Sequence, residues 1–324
     1  MPGIETIRYY WNLYKLHLKG LSFSKDYQLK LYNWFPPFVP QDLWLSRFVE
    51  ERGLLKNNPQ LKAGVFTING KQWMIRKQPC DLKIFLAREN LAFRKGWHDF
   101  MLNEPCIDLS IGFDYITDYP HYLRIPFWMM WALDPMDTYE SIKAKVEQWN
   151  APENSSYNDR RFCALVCSHG DDGRRMIFGE LSKIGHVDSA GRWLHNDDSL
   201  KHCYGDNKAE WLRNYRFNLC PENSNAPGYC TEKLLEAIQC GCIPIYWGSD
   251  NKPEPDVFNQ DAIIFFEMGK ENDEAMKQIL ELDSDEKMYM DFACQPRFVD
   301  GAAEVIWGYY ERLENKLKEI INNV

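Results

Sequence analysis

Short runs of apolar residues recur along the chain at 28–34, 82–87, 107–113, 162–167, 217–220, 243–247 and 262–266, each bounded by polar or turn-forming residues. Predominantly apolar runs of this length fit strands covered on both faces of a sheet. Between several of them lie stretches with a helical period: 42–51 closed by Gly53, 174–184 closed by Gly185, and 231–240 closed by Gly241. A glycine just past the last apolar position is a common helix stop, because it takes the left-handed conformation without steric cost. The stretch 304–324 places Trp307, Tyr310, Leu313, Leu317 and Ile320 on one face of a long amphipathic helix. Strands alternating with helices predict parallel sheets wrapped by helices.

The polar, aperiodic and proline-containing stretch APENSSYND at 151–159 is the expected linker. It divides the chain into a first domain, 1–150, and a second, 151–303, with the helix 304–324 expected to pack back on the first. At 324 residues there is chain enough for two cores. The expected fold class is α/β, with two Rossmann-like, doubly wound domains facing a cleft.

Composition narrows the function classes. The formal charge of −9, from 38 basic and 47 acidic residues, argues against a general nucleic-acid binder, so an anionic ligand has to be held by a few placed cations. Ten cysteines show no paired C-x-x-C knuckles and no zinc spacing, and read as free thiols of a reducing compartment. The apolar stretch 125–133 contains Pro126 and is far short of a membrane span. The first twenty residues carry scattered Arg8, Lys15 and Lys19 and no signal-peptide core. A soluble cytoplasmic protein is therefore expected, in which the sequon at Asn154 is a chance match. No metal site is expected, because Asp171–Asp172 and Asp197–Asp198 are adjacent pairs better suited to caps and turns.

The chemistry gathers at two strand ends. In FNLCPENSNAPGYCTEKLLEAIQCGCIPIYWGSD, residues 217–250, a strand runs into a polar loop and then a helix that opens on Thr231, Glu232 and Lys233. Thr231 suits the N-cap, Glu232 suits the helix dipole, and Lys233 brings a full positive charge to the first turn. A second unit, RFCALVCSH followed by GDDG and a helix, has Asp171 or Asp172 as cap and Arg175 in its first turn. In open α/β sheets, ligands bind beyond the carboxyl ends of strands. If the two strands share a sheet, Arg175 and Lys233 converge on one rim, an arrangement suited to a diphosphate whose charge grows as it leaves.

The segment 217–248 resembles the signature of glycosyltransferase family 10, the α1,3/4-fucosyltransferases. Weaker similarity runs from LYNWF through IFLAREN, IGFDY, YLRIPF, VCSHG, GRRMIF and VDSAG to PIYWG, over about residues 28–308. The resemblance implies a bacterial member with a GT-B fold, inverting the anomeric centre. The fucose of GDP-β-L-fucose would pass to the 3-OH or 4-OH of GlcNAc in N-acetyllactosamine-like or lacto-N-biose-like glycans, giving Lewis-type structures. On this resemblance Arg175 and Lys233 are the pyrophosphate cations, Asn223, Tyr229 and Glu232 belong to the sugar-nucleotide pocket, and Glu89 in A-R-E-N is the general base. Glu104, Asp108 and Asp114 are reserve acids in the same half. No cofactor is implied, and divalent metal is at most stimulatory. The partners implied are GDP-fucose and a glycan acceptor, with monomer or homodimer and peripheral membrane contact left open. Pro221 and Gly228 depart from the family's usual Phe and Asp. The membrane anchor of the family's animal members and the heptad array of some bacterial members are not expected here. On residues alone, a GT-B transferase using another nucleotide sugar stays open; a non-catalytic carbohydrate-binding protein would not need the two cations and a base.

Overall fold

A computed structural model describes residues 4–19, 21–22, 28–33, 43–151 and 155–324. Trp34 in the first expected strand, Asp42 in the first expected helix and Asn154 in the expected linker lie outside the described residues. The chain divides into two units: residues up to Thr138 together with Trp307–Val324, and Tyr139–Ile306.

The first unit holds a six-stranded sheet in the order β1 (Leu21–Ser22), β2 (Lys30–Tyr32), β3 (Ala63–Phe66), β4 (Leu82–Leu86), β5 (Leu109–Gly112) and β6 (Tyr122–Arg124). β1 pairs antiparallel with β2, and every later pair is parallel. Every residue of β3, β4 and β5 is buried, as expected of strands covered on both faces. Phe66, Phe85, Ile75, Phe100 and Ile107 form the core on one side. The helix Ala302–Asn322 contributes Tyr310, Leu313 and Leu317 to the buried set. Its Tyr310 hydroxyl donates to the Asp134 carbonyl at 2.8 Å, and Glu314 pairs with Arg52 at 2.8 Å.

The second unit holds a parallel five-stranded sheet. Its strands are β7 (Arg161–Leu165), β8 (Val187–Ser189), β9 (Tyr215–Pro221), β10 (Ile243–Trp247) and β11 (Ile264–Phe265), in the spatial order β11-β10-β9-β7-β8. After β7 the chain adds β8 on one side, then crosses to add β9 on the other. Between β7 and β9 the winding therefore reverses, and at such a reversal the loops leave their carboxyl ends in opposite directions and open a crevice. Phe162, Leu165, Phe217, Leu219, Ile243 and Ile245 meet Ile177 and Leu181 of the helix Asp172–Ile184 in one core.

The two-sheet α/β architecture is the one the periodicity predicts. The strands that the pattern passes over are β3, β6, β8 and the two-residue β1. β3 opens on Ala63–Gly64, while β6 and β8 are only three residues each and carry Arg124 and Asp188. Strands this short hold their place through neighbours rather than through an apolar run of their own. The glycine stops differ among themselves. Gly53 and Gly241 are left-handed, at φ 66° and 70°, whereas Gly185 is extended and is required by space, since a Cβ there would lie 2.6 Å from the Phe162 ring.

Candidate active site

The crevice at the winding reversal is bounded by two loops. One joins β7 to the helix Asp172–Ile184, and the other joins β9 to the helix Glu232–Gln239. Both helices are fixed by their apolar faces: Ile177 and Leu181 in the first, Leu234, Leu235 and Ile238 in the second.

Asp171 caps the first helix, its carboxylate accepting from the Arg174 N–H at 2.9 Å. Arg174 shares the buried stripe with Ile177 and Leu181, three and seven residues on, and is 5% exposed. Arg175, one position further round the helix, is exposed, its guanidinium 5.8 Å from the centre of the Trp193 ring. Arg174 turns inward: Nη1 donates to the His169 carbonyl at 2.6 Å, and Nη2 donates to the Glu222 carbonyl at 2.5 Å and faces Asn223 Oδ1 at 3.4 Å. Its buried Nε has no hydrogen-bond partner among the described residues and lies 3.8 Å from Asp171 Oδ2.

Glu222 joins the two loops. It follows the last residue of β9, its N–H donates to the Trp247 carbonyl at the end of β10, and its side chain is fully buried. The carboxylate accepts from the Thr231 N–H at 2.7 Å, the Thr231 hydroxyl at 2.6 Å and the Lys233 ammonium at 2.9 Å, with the Tyr246 hydroxyl at 3.4 Å. A buried carboxylate is tolerated only with such a set of partners. Gly248 makes room for it: φ there is 144°, and a Cβ would sit 2.5 Å from Glu222 Cγ. Thr231 occupies the N-cap position of the second helix, but its side chain makes no capping bond; the hydroxyl is given to Glu222 instead. The hydroxyl oxygen, which a capping bond would use as acceptor, accepts instead from the Lys233 ammonium at 2.8 Å, a charged donor stronger than a helix N–H.

Lys233 also lies 3.7 Å from Glu232 Oε1 and 2.8 Å from Thr231 Oγ1. Burial opposes its charge, but Glu222, Glu232 and the nearby Tyr229 hydroxyl outweigh burial and push its pKa above the ordinary lysine value. For Glu232, burial works against the carboxylate, and Lys233 with the residue's own N–H reverses the balance, leaving the pKa below the usual value. Tyr229 is 2% exposed, and Asn223 is exposed in the same loop.

The structure thus brings Arg175, Asn223, Tyr229, Glu232 and Lys233 to one edge of the second sheet, and adds Arg174 and Glu222. Arg174 could have been found by counting back three from Ile177 and seven from Leu181. A charged residue two positions after the apolar run 217–220, with a glycine following the neighbouring run 243–247, is the corresponding signal for Glu222.

Glu89 lies in the first unit, exposed, in the loop that leaves the carboxyl end of β4. Its neighbours are anchored. The Arg88 guanidinium sits 5.4 and 5.7 Å from the Phe127 and Trp131 rings, and the Asn90 side chain accepts from the Ala92 N–H at 3.0 Å. Among the reserve acids, Glu104 is paired with Arg76 at 2.7 Å, and Asp108 accepts from the Lys83 N–H at 2.7 Å ahead of β5. Asp114 follows β5 and shares the carboxyl edge with Glu89, and burial raises its pKa. Among the described residues no cluster of three or more His, Cys, Asp or Glu side chains is placed to hold a metal, and no helix is long and apolar enough to cross a membrane.

Residues 157–295 match the sequence profile described as glycosyltransferase family 10 (fucosyltransferase) C-term. An alpha-(1,3)-fucosyltransferase of Helicobacter pylori is 28% identical over 248 residues, 63% of this chain and 48% of that protein. The human GDP-fucose protein O-fucosyltransferase 3 is 26% identical over 301 residues, 85% of this chain and 60% of that one. The chain spans about half or less of the length of the first curated relatives it matches. Among solved structures, an alpha1,3-fucosyltransferase with GDP-fucose superposes with a TM-score of 0.59 at 22% identity, over 92% of this chain and 95% of that chain. A further alpha1,3-fucosyltransferase structure gives 0.57 at 20% identity, over 89% of each chain. The fold is the GT-B fold of those structures, and within the second unit residues 157–295 are similar to glycosyltransferase family 10.

Proposed function

We propose that the chain is an inverting fucosyltransferase that moves L-fucose from GDP-β-L-fucose to a GlcNAc hydroxyl of an N-acetyllactosamine-type or lacto-N-biose-type glycan, in α1,3 or α1,4 linkage. The observation that carries the reading is the Arg174–Glu222–Lys233 arrangement at the winding reversal, inside the segment that matches the family. An acceptor hydroxyl oxygen attacks C1 of fucose, the C1–O bond to the diphosphate breaks with its electron pair going to GDP, and Glu89 takes the hydroxyl proton. Lys233 and the arginine pair steady the negative charge that grows on the diphosphate. Of the two arginines, Arg174 is anchored with its guanidinium in the crevice and carries the larger share, while Arg175 reaches the same anion from the rim. Asn223, Tyr229 and Glu232 line the sugar-nucleotide side. These cations take the part a divalent metal plays in other transferases, so no cofactor is required, and added metal does no more than help product leave. The reading places the enzyme in a bacterial cytoplasm, where GDP-sugars are made, producing Lewis-type structures.

Calorimetry of GDP, GDP-fucose, GDP-mannose and UDP tests the donor: GDP and GDP-fucose should bind, GDP-mannose should bind more weakly than GDP-fucose, and UDP should not bind. NMR of the product tests the linkage. A second reading, transfer to a protein serine or threonine, is favoured by the relative that spans 85% of this chain. Assay of a free glycan beside a folded protein acceptor separates the two, and the glycan should be the one fucosylated.

A further inference from the structure

In the first unit an open depression of ≈ 550 Å³ lies between the loop after β3 and the loop after β4. β3 and β4 are adjacent and parallel, so both loops leave the carboxyl edge of the sheet, and the second of them is the loop that carries Glu89. The volume falls within the range of small-ligand sites. Its walls combine two features. The indole of Trp73 is 49% exposed, and Trp97 is fixed by stacking on Phe85 at 5.7 Å between ring centres. Lys71 and Lys95 flank the rings, both exposed, and neither has an ion-pair partner among the described residues. The third charged residue of the lining, Arg76, is paired with Glu104 at 2.7 Å; beside the depression the Lys77 ammonium lies 5.5 Å from the Trp73 ring centre, and Asp99 accepts from the Asn103 amide at 2.8 Å. Gln72 ties the two walls together, its Nε2 donating to the Gly96 carbonyl at 2.8 Å. In a chain of charge −9, a preformed depression whose two unpartnered charges are both positive, beside an open aromatic face, matches one chemistry. A sugar ring offers C–H groups to an indole, and an anionic substituent satisfies the ammonium groups.

We propose that this depression is a subsite for an acidic sugar residue of the acceptor glycan, its ring laid on Trp73 and its anionic group held by Lys71 and Lys95. The inference rests on the reading of Glu89 as the base that receives the acceptor's proton. It assigns acceptor preference to residues outside the sugar-nucleotide site.

The test compares kcat/KM of the full chain for neutral N-acetyllactosamine, its carboxylated (sialylated) extension and its sulfated form. The carboxylated acceptor should be preferred about tenfold, the joint effect of two exposed charge contacts, and the preference should shrink as salt is raised. The double variant Lys71→Ala/Lys95→Ala should reduce the preference to within about twofold and leave the neutral acceptor unchanged. A sulfated acceptor that matches the carboxylated one supports recognition by charge; one that matches the neutral acceptor narrows the subsite to carboxylates and supports it equally. Equal use of neutral and carboxylated acceptors by the unaltered chain, or equal loss on both in the variant, overturns the subsite. Saturation-transfer NMR of the carboxylated saccharide on the same proteins reads binding without transfer. Lysine-dependent binding in a protein that transfers no fucose would sink the transferase reading and keep the subsite; transfer without lysine-dependent binding would do the reverse.

Discussion

Lys233 Nζ lies 2.9 Å from Glu222 Oε2, in a pair whose carboxylate has no exposed surface while the lysine side chain keeps 18% of its own. The ammonium is thus held in place by a buried charge. Replacing Glu222 with Ala removes the acceptor for Lys233, the Thr231 hydroxyl and the Thr231 N–H together. Breaking such a buried pair should lower stability by about 3 kcal/mol, with some relief because the lysine is partly solvated. Glu222→Gln keeps the volume but turns an N–H donor toward donors, and should cost about half as much. Urea titration of both variants checks the order, and GDP affinity should fall in the same order because Lys233 loses its support.

The neighbouring carboxylate makes the acid limb of stability predictable. Glu232 has its folded pKa below the ordinary 4.5, so its contribution is whole above that value and is lost as pH falls through the lower folded value. Lys233, raised above 10.5, is fully charged in folded and unfolded chains across this range and adds no slope there. Urea midpoints measured from about pH 7 down to about pH 3 should therefore fall less steeply in Glu232→Gln than in the unaltered protein. Parallel slopes would show that other acids carry the acid limb.

Arg174 and Arg175 are adjacent in sequence and opposite in environment. Arg174→Ala should weaken GDP binding by roughly ten- to hundredfold, since a charge-assisted contact is lost together with the tie between the two loops. Arg175→Ala removes an exposed charge and should cost a factor of about five or less. Arg174→Lys should behave more like Arg174→Ala, because the ammonium cannot reach His169, Glu222 and Asn223 at once. Calorimetric titration with GDP ranks the three.

Catalysis should survive exhaustive chelation. The two aspartate pairs that could be taken for metal ligands have other duties. Asp171 caps a helix, Asp197 accepts from the Ser199 N–H at 2.5 Å and pairs with Arg161 at 3.2 Å, and Asp198 holds His195 at 2.9 Å. Turnover in EDTA within about a factor of three of the untreated enzyme is expected, and complete loss restored by added metal would contradict it.

Legibility in the sequence followed burial. Strands β4, β5, β7, β9 and β10 are apolar runs because both faces are covered, and the pattern declares them. What the pattern could not declare was the direction of charged side chains. Arg174 and Arg175 are indistinguishable as letters and separate only once the helix phase is counted. Glu222 falls in the polar loop of 217–250, where nothing local records that Lys233, eleven residues on, and Gly248, just past the next strand, are built around it. Thr231 sits at the cap position expected of it, yet its hydroxyl goes to that same buried acid. A local rule predicts the position, and a distant charge redirects the bond.

Glu89 carries the most demanding prediction. It follows β4 at the sheet edge where α/β enzymes place reacting groups, and its neighbours Arg88 and Asn90 are pinned by aromatic rings and by a backbone bond. The acid is thereby held in place while its carboxylate stays exposed, which suits a group that has to meet an incoming hydroxyl. Removing a positioned base costs about a hundred- to ten-thousandfold. Glu89→Gln should lower kcat by that factor and leave GDP affinity unchanged, because the GDP cations belong to the second unit. Asp114 is the control: it lies on the same edge, and burial already raises its pKa. Asp114→Asn should keep more than about a tenth of wild-type kcat. If the two variants exchange these outcomes, Asp114 is the base; if Glu89→Gln loses GDP binding in proportion to its activity, the assignment of Glu89 to the proton-transfer step fails.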